Sequence, residues 1–127
     1  MTIPKISDSE WEVMKLVWKN HPLSSDDIVS SLVHRMNCSP QTIKTFINRL
    51  VKKGALGYEK NGRSYSYFPL VSEKKCVLAE SKNFIERVYD GAAAMLLANF
   101  IEEKVLSDED LVKLQELLES KNDNKGK

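Results

Sequence analysis

The sequence predicts a mainly α-helical protein with a small β-hairpin wing, and three observations carry the prediction. Residues 7–54 hold three capped, amphipathic helical segments. The third stops at Gly54 and is followed at once by two short alternating segments around Asn61-Gly62. From Ser72 onward the pattern is helical again, up to a polar tail. Three helices and a hairpin in this order make a winged helix-turn-helix, an architecture that lays one helix in the DNA major groove. The boundaries read as a winged-helix DNA-binding domain over residues 1–71, a helical dimerisation region over 72–120 and a frayed tail over 121–127.

Composition agrees with this division. With 127 residues and 42% apolar side chains the chain can bury a core, which excludes wholesale disorder. The net charge of +1 hides an asymmetry. Residues 1–71 carry ten basic against six acidic side chains, whereas 72–127 carry nine against twelve. Between Pro40 and Tyr65 there are six basic side chains and one acidic. Positive charge gathered on one helix and its hairpin is the electrostatic footprint of nucleic acid. No run is long and apolar enough for a membrane span and no leader is visible, so a cytoplasmic chain is expected. Cys38 and Cys76 fit no metal-ligand spacing and read as reduced thiols; no metal or cofactor is expected.

The elements follow in order. Ser7 and Glu10 form a capping box for a helix whose apolar positions are Trp11, Met14, Leu16, Val17 and Trp18. The two tryptophans, seven residues apart, are expected on one face against the second and third helices. Ser24 caps the second helix, Asp26 and Asp27 complement its dipole, and Ile28, Val29, Leu32 and Val33 form its stripe. Ser39-Pro40 opens the third helix with a hydroxyl cap and a proline at the first helical position. Ile43, Phe46, Ile47, Leu50 and Val51 face its core side, and Gly54 supplies a left-handed stop. Segments 56–60 and 63–69 read as strands joined by an Asn61-Gly62 turn. Helices are then expected over 73–89 and 92–103, and from a Ser107/Asp110 capping box onward, with Asp90-Gly91 as a break.

The third helix shows short polar and basic groups opposite its apolar stripe. Gln41, Thr42, Lys44, Thr45 and Asn48 lie toward its start, where helix-turn-helix proteins touch base edges. Gln and Asn pair with adenine, Lys with guanine, and a Thr methyl with thymine. Arg49, Lys52 and Lys53 come later and suit phosphates, which position without specifying. Arg63 and Tyr65, on the wing, are placed to reach the backbone or minor groove. A solvated helix face is the plain alternative for any isolated basic helix. The helix before and the hairpin after favour DNA. Tyr58, Tyr65, Tyr67 and Phe68 can stack bases, but packing of the hairpin explains them more simply.

Nothing points to catalysis. His21 and His34 fall on different elements, and Asp26 and Asp27 diverge around a helix. No phosphate loop, nucleophile elbow or zinc-type spacing occurs.

The C-terminal helices have broad apolar stripes but too little chain for a core of their own, which predicts interlocking with a second copy. Phe84, Val88, Leu96, Leu97, Phe100, Ile101, Leu111, Leu114 and Leu118 are the dimerisation candidates. A twofold dimer sets two recognition helices about 34 Å apart and calls for an inverted-repeat operator. The alternative is that these helices fold back on their own winged helix.

Several separated motifs share a likeness. They are Ser9-Glu10-Trp11-Glu12-Val13-Met14 with Trp18, Ser39-Pro40-Gln41-Thr42-Ile43-Lys44-Thr45, and Asn48-Arg49-Leu50 with Lys52-Lys53-Gly54. Ser81-Lys82-Asn83-Phe84, Val88-Tyr89-Asp90-Gly91 and Leu97-Ala98-Asn99-Phe100 continue the series. In this the sequence resembles the penicillinase-repressor family of Gram-positive bacteria, the BlaI/MecI group, almost end to end. The resemblance implies a homodimeric repressor of β-lactamase or related antibiotic-resistance genes, acting at inverted repeats built around TACA and TGTA. It also implies release by proteolysis: a membrane sensor with metalloprotease activity detects a β-lactam, and the repressor is cut at an Asn-Phe bond. That bond maps onto Asn99–Phe100 in the dimerisation region. Gln41 and Lys44 stand where many members carry other basic residues. The region after Leu106 lacks the paired cysteines of the copper-responsive branch, which argues against metal sensing. The competing readings are a repressor of the same fold answering to metal or cell-wall stress, and a winged helix that binds protein instead of DNA.

Overall fold

The computed structural model describes residues 3–125, and side chains as far as residue 122. Its elements run α1 (Asp8–Lys19), β1 (Leu23–Ser24), α2 (Ser25–Leu32), α3 (Pro40–Lys52), β2 (Leu56–Asn61), β3 (Ser64–Pro69), α4 (Glu73–Tyr89), α5 (Ala93–Glu102) and α6 (Asp108–Lys125). The chain divides into two compact units, Met1–Ala79 and Glu80–Lys127.

In the first unit short-range polar contacts fix where each helix begins. The Ser7 N–H donates to Glu10 Oε1 over 3.0 Å and the Glu10 N–H donates back to Ser7 Oγ over 3.3 Å, closing the capping box. Ser24 Oγ accepts from the Asp27 N–H at 3.1 Å, and Ser39 Oγ accepts from the Thr42 N–H at 3.2 Å. Each occupies one of the donors that a helix start leaves unpaired. α3 ends where Gly54 takes a φ of 81°, which turns the chain directly into β2. Val13, Met14 and Val17 of α1 meet Ile28 and Leu32 of α2, Ile43, Ile47 and Leu50 of α3, and Leu56 and Tyr67 of the sheet in one buried core.

The hairpin carries two differences from the sequence reading. Asn61 pairs with Ser64, so the two turn residues are Gly62 and Arg63 rather than Asn61 and Gly62. Gly62 has a φ of 65° while Arg63 does not enter the left-handed region, the order that a turn with glycine first requires. The hairpin also has a third neighbour. β1 pairs antiparallel with β3, giving the order β1-β3-β2. Two residues are too few to show alternation, so only tertiary pairing reveals that strand.

Trp11 and Trp18 do share a face of α1, with ring centroids 5.6 Å apart. The Trp18 indole N–H donates to the Val71 carbonyl over 3.0 Å, so it ties α1 to the segment after β3, a contact that helix spacing did not indicate. Val71 and Cys76 join the same core, and burial pushes the Cys76 thiol above its ordinary value.

In the second unit α5 is separated from α4 by Asp90 and Gly91, at φ 50° and 86°. The Ser107/Asp110 capping box opens α6, with reciprocal bonds of 3.1 Å. α6 continues to Lys125, into the segment read as a tail, of which residues 126–127 lie outside the described residues. Between residues 80 and 122 no side chain is buried.

Candidate nucleic-acid interface

The amphipathic pattern of α3 produces the site. Burying Ile43, Ile47 and Leu50 turns Gln41, Thr42, Lys44, Asn48, Arg49 and Lys52 to the exterior, with Thr45 half-buried between them. Gln41, Thr45, Asn48 and Lys52 follow at helical steps along one face. Two hydroxyls on this face are already engaged. Thr45 Oγ1 donates to the Gln41 carbonyl at 3.0 Å, and Thr42 Oγ1 lies 2.9 Å from Ser39 Oγ. Their methyl groups are the part left to meet a thymine, while Gln41, Lys44 and Asn48 keep their hydrogen-bonding groups for base edges. Among the described residues none of Lys44, Arg49, Lys52 and Arg63 has an ion-pair partner, so their charge is available to phosphate.

Lys53 is placed differently. Its ammonium is ion-paired with Glu10 Oε1 and donates to the Lys5 carbonyl at 2.8 Å. Glu10 is only 2% exposed. Burial opposes its ionisation, but hydrogen bonds from Lys53 and Ser7 and the Lys53 charge outweigh that and hold the carboxyl below its ordinary value. The structure therefore groups nine of the ten sequence candidates around α3 and the wing and gives Lys53 to the scaffold. Its partner in α1 lies 43 residues away, which the local sequence pattern could not reveal.

The wing adds Arg63 at the hairpin tip and Tyr65 on β3, both exposed. Tyr58, Tyr65 and Tyr67 form a cluster with ring centroids 5.2 to 6.5 Å apart. With Asn48, Val51 and Lys52 they line a cavity of about 450 Å³ between the later turns of α3 and the wing. The sequence reading named Tyr58 only as able to stack bases and preferred hairpin packing for it, and it did not single out Lys60. Strand register is the signal that brings them in, since Tyr58 pairs with Tyr67 and Lys60 with Tyr65.

In the second unit Asn99 and Phe100 sit within α5, Asn99 exposed and Phe100 half-buried. The Asn99 side-chain amide donates to the Tyr89 hydroxyl over 3.4 Å. The carbonyls of Asn99 and Phe100 accept from the N–H groups of Glu103 and Val105 at 3.0 and 2.9 Å. Of the dimerisation candidates Phe84, Val88, Leu97, Ile101 and Leu118 are exposed, and Leu96, Phe100, Leu111 and Leu114 are half-buried.

A capped polar helix behind a helix-turn, followed by a basic three-stranded wing, defines a winged-helix protein of the DNA-binding kind. The pattern of the Penicillinase repressor family matches residues 6–120, and this chain belongs to that family. It is 37% identical over 123 residues to the penicillinase repressor of Bacillus licheniformis, covering 97% of this chain and 96% of that one. It is equally 37% identical over 117 residues to the methicillin resistance regulatory protein MecI of Mammaliicoccus sciuri, covering 92% and 95%. Among solved structures, the monomeric form of Bacillus licheniformis BlaI in complex with the blaP half-operator is 42% identical. It aligns with a TM-score of 0.52, covering 57% of this chain and 89% of that one. The family is one of DNA-binding repressors linked to antibiotic resistance, not of enzymes. Among the described residues no helix is long and apolar enough to cross a membrane, and no group of three metal-ligating side chains occurs.

Proposed function

We propose that this protein represses β-lactamase or related resistance genes as a homodimer on inverted-repeat operators of the TACA/TGTA type, and is inactivated by cleavage at Asn99–Phe100. The observation that carries the first part is the outer face of α3. Free base-reading groups at Gln41, Lys44 and Asn48 precede the unpaired cations of Arg49 and Lys52, in a chain related to a protein solved on a half-operator. Gln41, Thr42, Lys44, Thr45 and Asn48 read bases; Arg49, Lys52, Arg63 and Tyr65 hold the backbone. Dimerisation is supported by the second unit, where Met95, Leu97, Ile101, Leu117 and Leu118 are exposed and the remaining large apolar side chains are at most half-buried. A water-facing array of this kind needs a cover, and a second copy supplies one with matching chemistry.

Cleavage at Asn99–Phe100 follows from the likeness to the BlaI/MecI group, with a membrane sensor-protease as the signalling partner. Cutting there separates α6 and the end of α5 from the rest. Pairing of two half-site contacts would be lost, and the affinity gained by linking them would go with it. The test is an anisotropy titration of an inverted-repeat TACA/TGTA duplex beside a scrambled one. Preference for the repeat at physiological salt is expected; equal weak binding to both overturns the operator assignment.

A further inference from the structure

The cavity between α3 and the wing is not explained by base reading or by core packing. Strand alternation and register put Tyr58, Lys60, Tyr65 and Tyr67 on one side of the hairpin, whereas Glu59, paired with Ser66, belongs to the other. Exposure rises along that side, from 8% at Tyr67 through 40% at Tyr65 to 52% at Tyr58. Packing accounts for Tyr67. It does not account for a Tyr58 ring that stands half in solvent, edge-on to Tyr65 with their centroids 5.2 Å apart. Among the residues lining the cavity, Lys52 is the one charged side chain, joined by the Asn48 amide and three phenols. Lys60, opposite Tyr65, adds a second cation to the same side of the sheet. Hydrogen-bond donors and positive charge converge there without a carboxylate, and that is the chemistry of an anion seat.

We infer that this cavity seats one phosphodiester group of the DNA strand as it passes from α3 to the wing, with the Tyr58 hydroxyl donating to a non-bridging oxygen. Tyr65 and Lys52 complete the seat, and Tyr67 forms its floor. Burial first, and then its two neighbouring phenols, push the Tyr67 hydroxyl up, so it remains a neutral O–H at physiological pH. The inference rests on the reading of α3 as the DNA-facing helix. It makes Tyr58 a positioning residue, because a phosphate contact fixes register and carries no sequence information.

The test uses the full chain and Tyr58→Phe, which keeps the ring and removes only the hydroxyl. Tyr58→Phe should bind the inverted-repeat and scrambled duplexes about five- to tenfold more weakly in parallel, with an unchanged melting temperature. The hydroxyl is neutral, so the salt dependence should not change. Lys52→Ala, in contrast, should flatten the log–log salt slope on the inverted-repeat duplex by about 1.8, about 0.9 for each half-site. A single uncharged methylphosphonate is then stepped through the inverted-repeat duplex. At one linkage per half-site it should weaken the natural protein by more than it weakens Tyr58→Phe, in which Lys52 and Tyr65 still hold the phosphate. Equal affinities for the two proteins overturn the inference. So does a loss in Tyr58→Phe that adds in full to the effect of every methylphosphonate, because that marks a merely structural role. If the natural protein binds neither duplex even at low salt, the DNA-facing reading of α3 fails and this seat falls with it.

Discussion

Lys53, one residue beyond the end of α3, is ion-paired with Glu10, the third residue of α1. The same carboxylate accepts the Ser7 N–H, so one buried group caps one helix and anchors the end of another. Removing the cation strands a charge that is 2% exposed. Lys53→Ala should destabilise the first unit by about 2 to 3 kcal/mol in urea unfolding. Its salt slope for DNA should match that of the natural protein. A slope flatter by about 0.9 per half-site would mean that Lys53 reaches phosphate after all.

The same pair gives a pH dependence of definite sign. The Glu10 carboxyl is held below its ordinary value in the folded protein. Its contribution to stability is therefore complete above the unfolded value, about 4.3, and is lost as pH falls through the folded value. Glu10→Gln should lower stability at neutral pH and flatten the acid limb of a melting-temperature profile. Parallel profiles for the two proteins would refute this role.

Gly57 is required by a side chain rather than by its own dihedrals. A Cβ at this position would lie 2.8 Å from two ring carbons of Phe68, its cross-strand partner, and 3.1 Å from Leu70. Gly57→Ala should cost about 1 to 3 kcal/mol and disturb the wing, read as a lower denaturation midpoint and weaker DNA binding. Gly54→Ala meets no neighbour, yet it strains a φ of 81° and should also destabilise. A neutral Gly57→Ala would show that β2 yields without loss.

Base reading and backbone holding separate by variant. Asn48→Ala should cost about 1 to 3 kcal/mol against the preferred duplex and little against a scrambled one. Lys52→Ala should weaken both together. If both variants lower affinity uniformly, then Asn48 does not read a base.

Pairing of the second unit is tested at Phe100, half-buried on α5. Phe100→Ala should move the monomer–dimer equilibrium toward monomer in sedimentation velocity at micromolar protein. An unchanged profile would place Phe100 away from the contact.

Much of this molecule is legible locally because its signals are local. Ser7 with Glu10, Ser24, Ser39-Pro40 and Ser107 with Asp110 act over three residues, and each opens a helix in the structure. Gly54 needs only its own backbone freedom. What escaped the sequence depends on distant partners. The two residues of β1 become a strand only because Ser66 and Tyr67 of β3 lie beside them. The hairpin turn slipped by one residue because pairing all six residues of β2, from Leu56 to Asn61, takes Asn61 out of the turn. Lys53 looks like any late helix lysine until Glu10 is seen beneath it. The phenols of the wing read as packing until Tyr58, Tyr65 and Tyr67 are seen to line one cavity with Asn48 and Lys52 of α3.

The absence of any buried side chain between residues 80 and 122 has a consequence for gene dosage. If a second copy supplies the missing interior, folding of this half and assembly of the repressor are one mass-action step, and stability becomes a property of abundance. At low abundance the filled fraction of a two-sided operator then climbs with the square of the monomer concentration. A modest dip in protein number, from dilution at division or from proteolysis, would then lower operator occupancy by about twice the fraction of molecules lost.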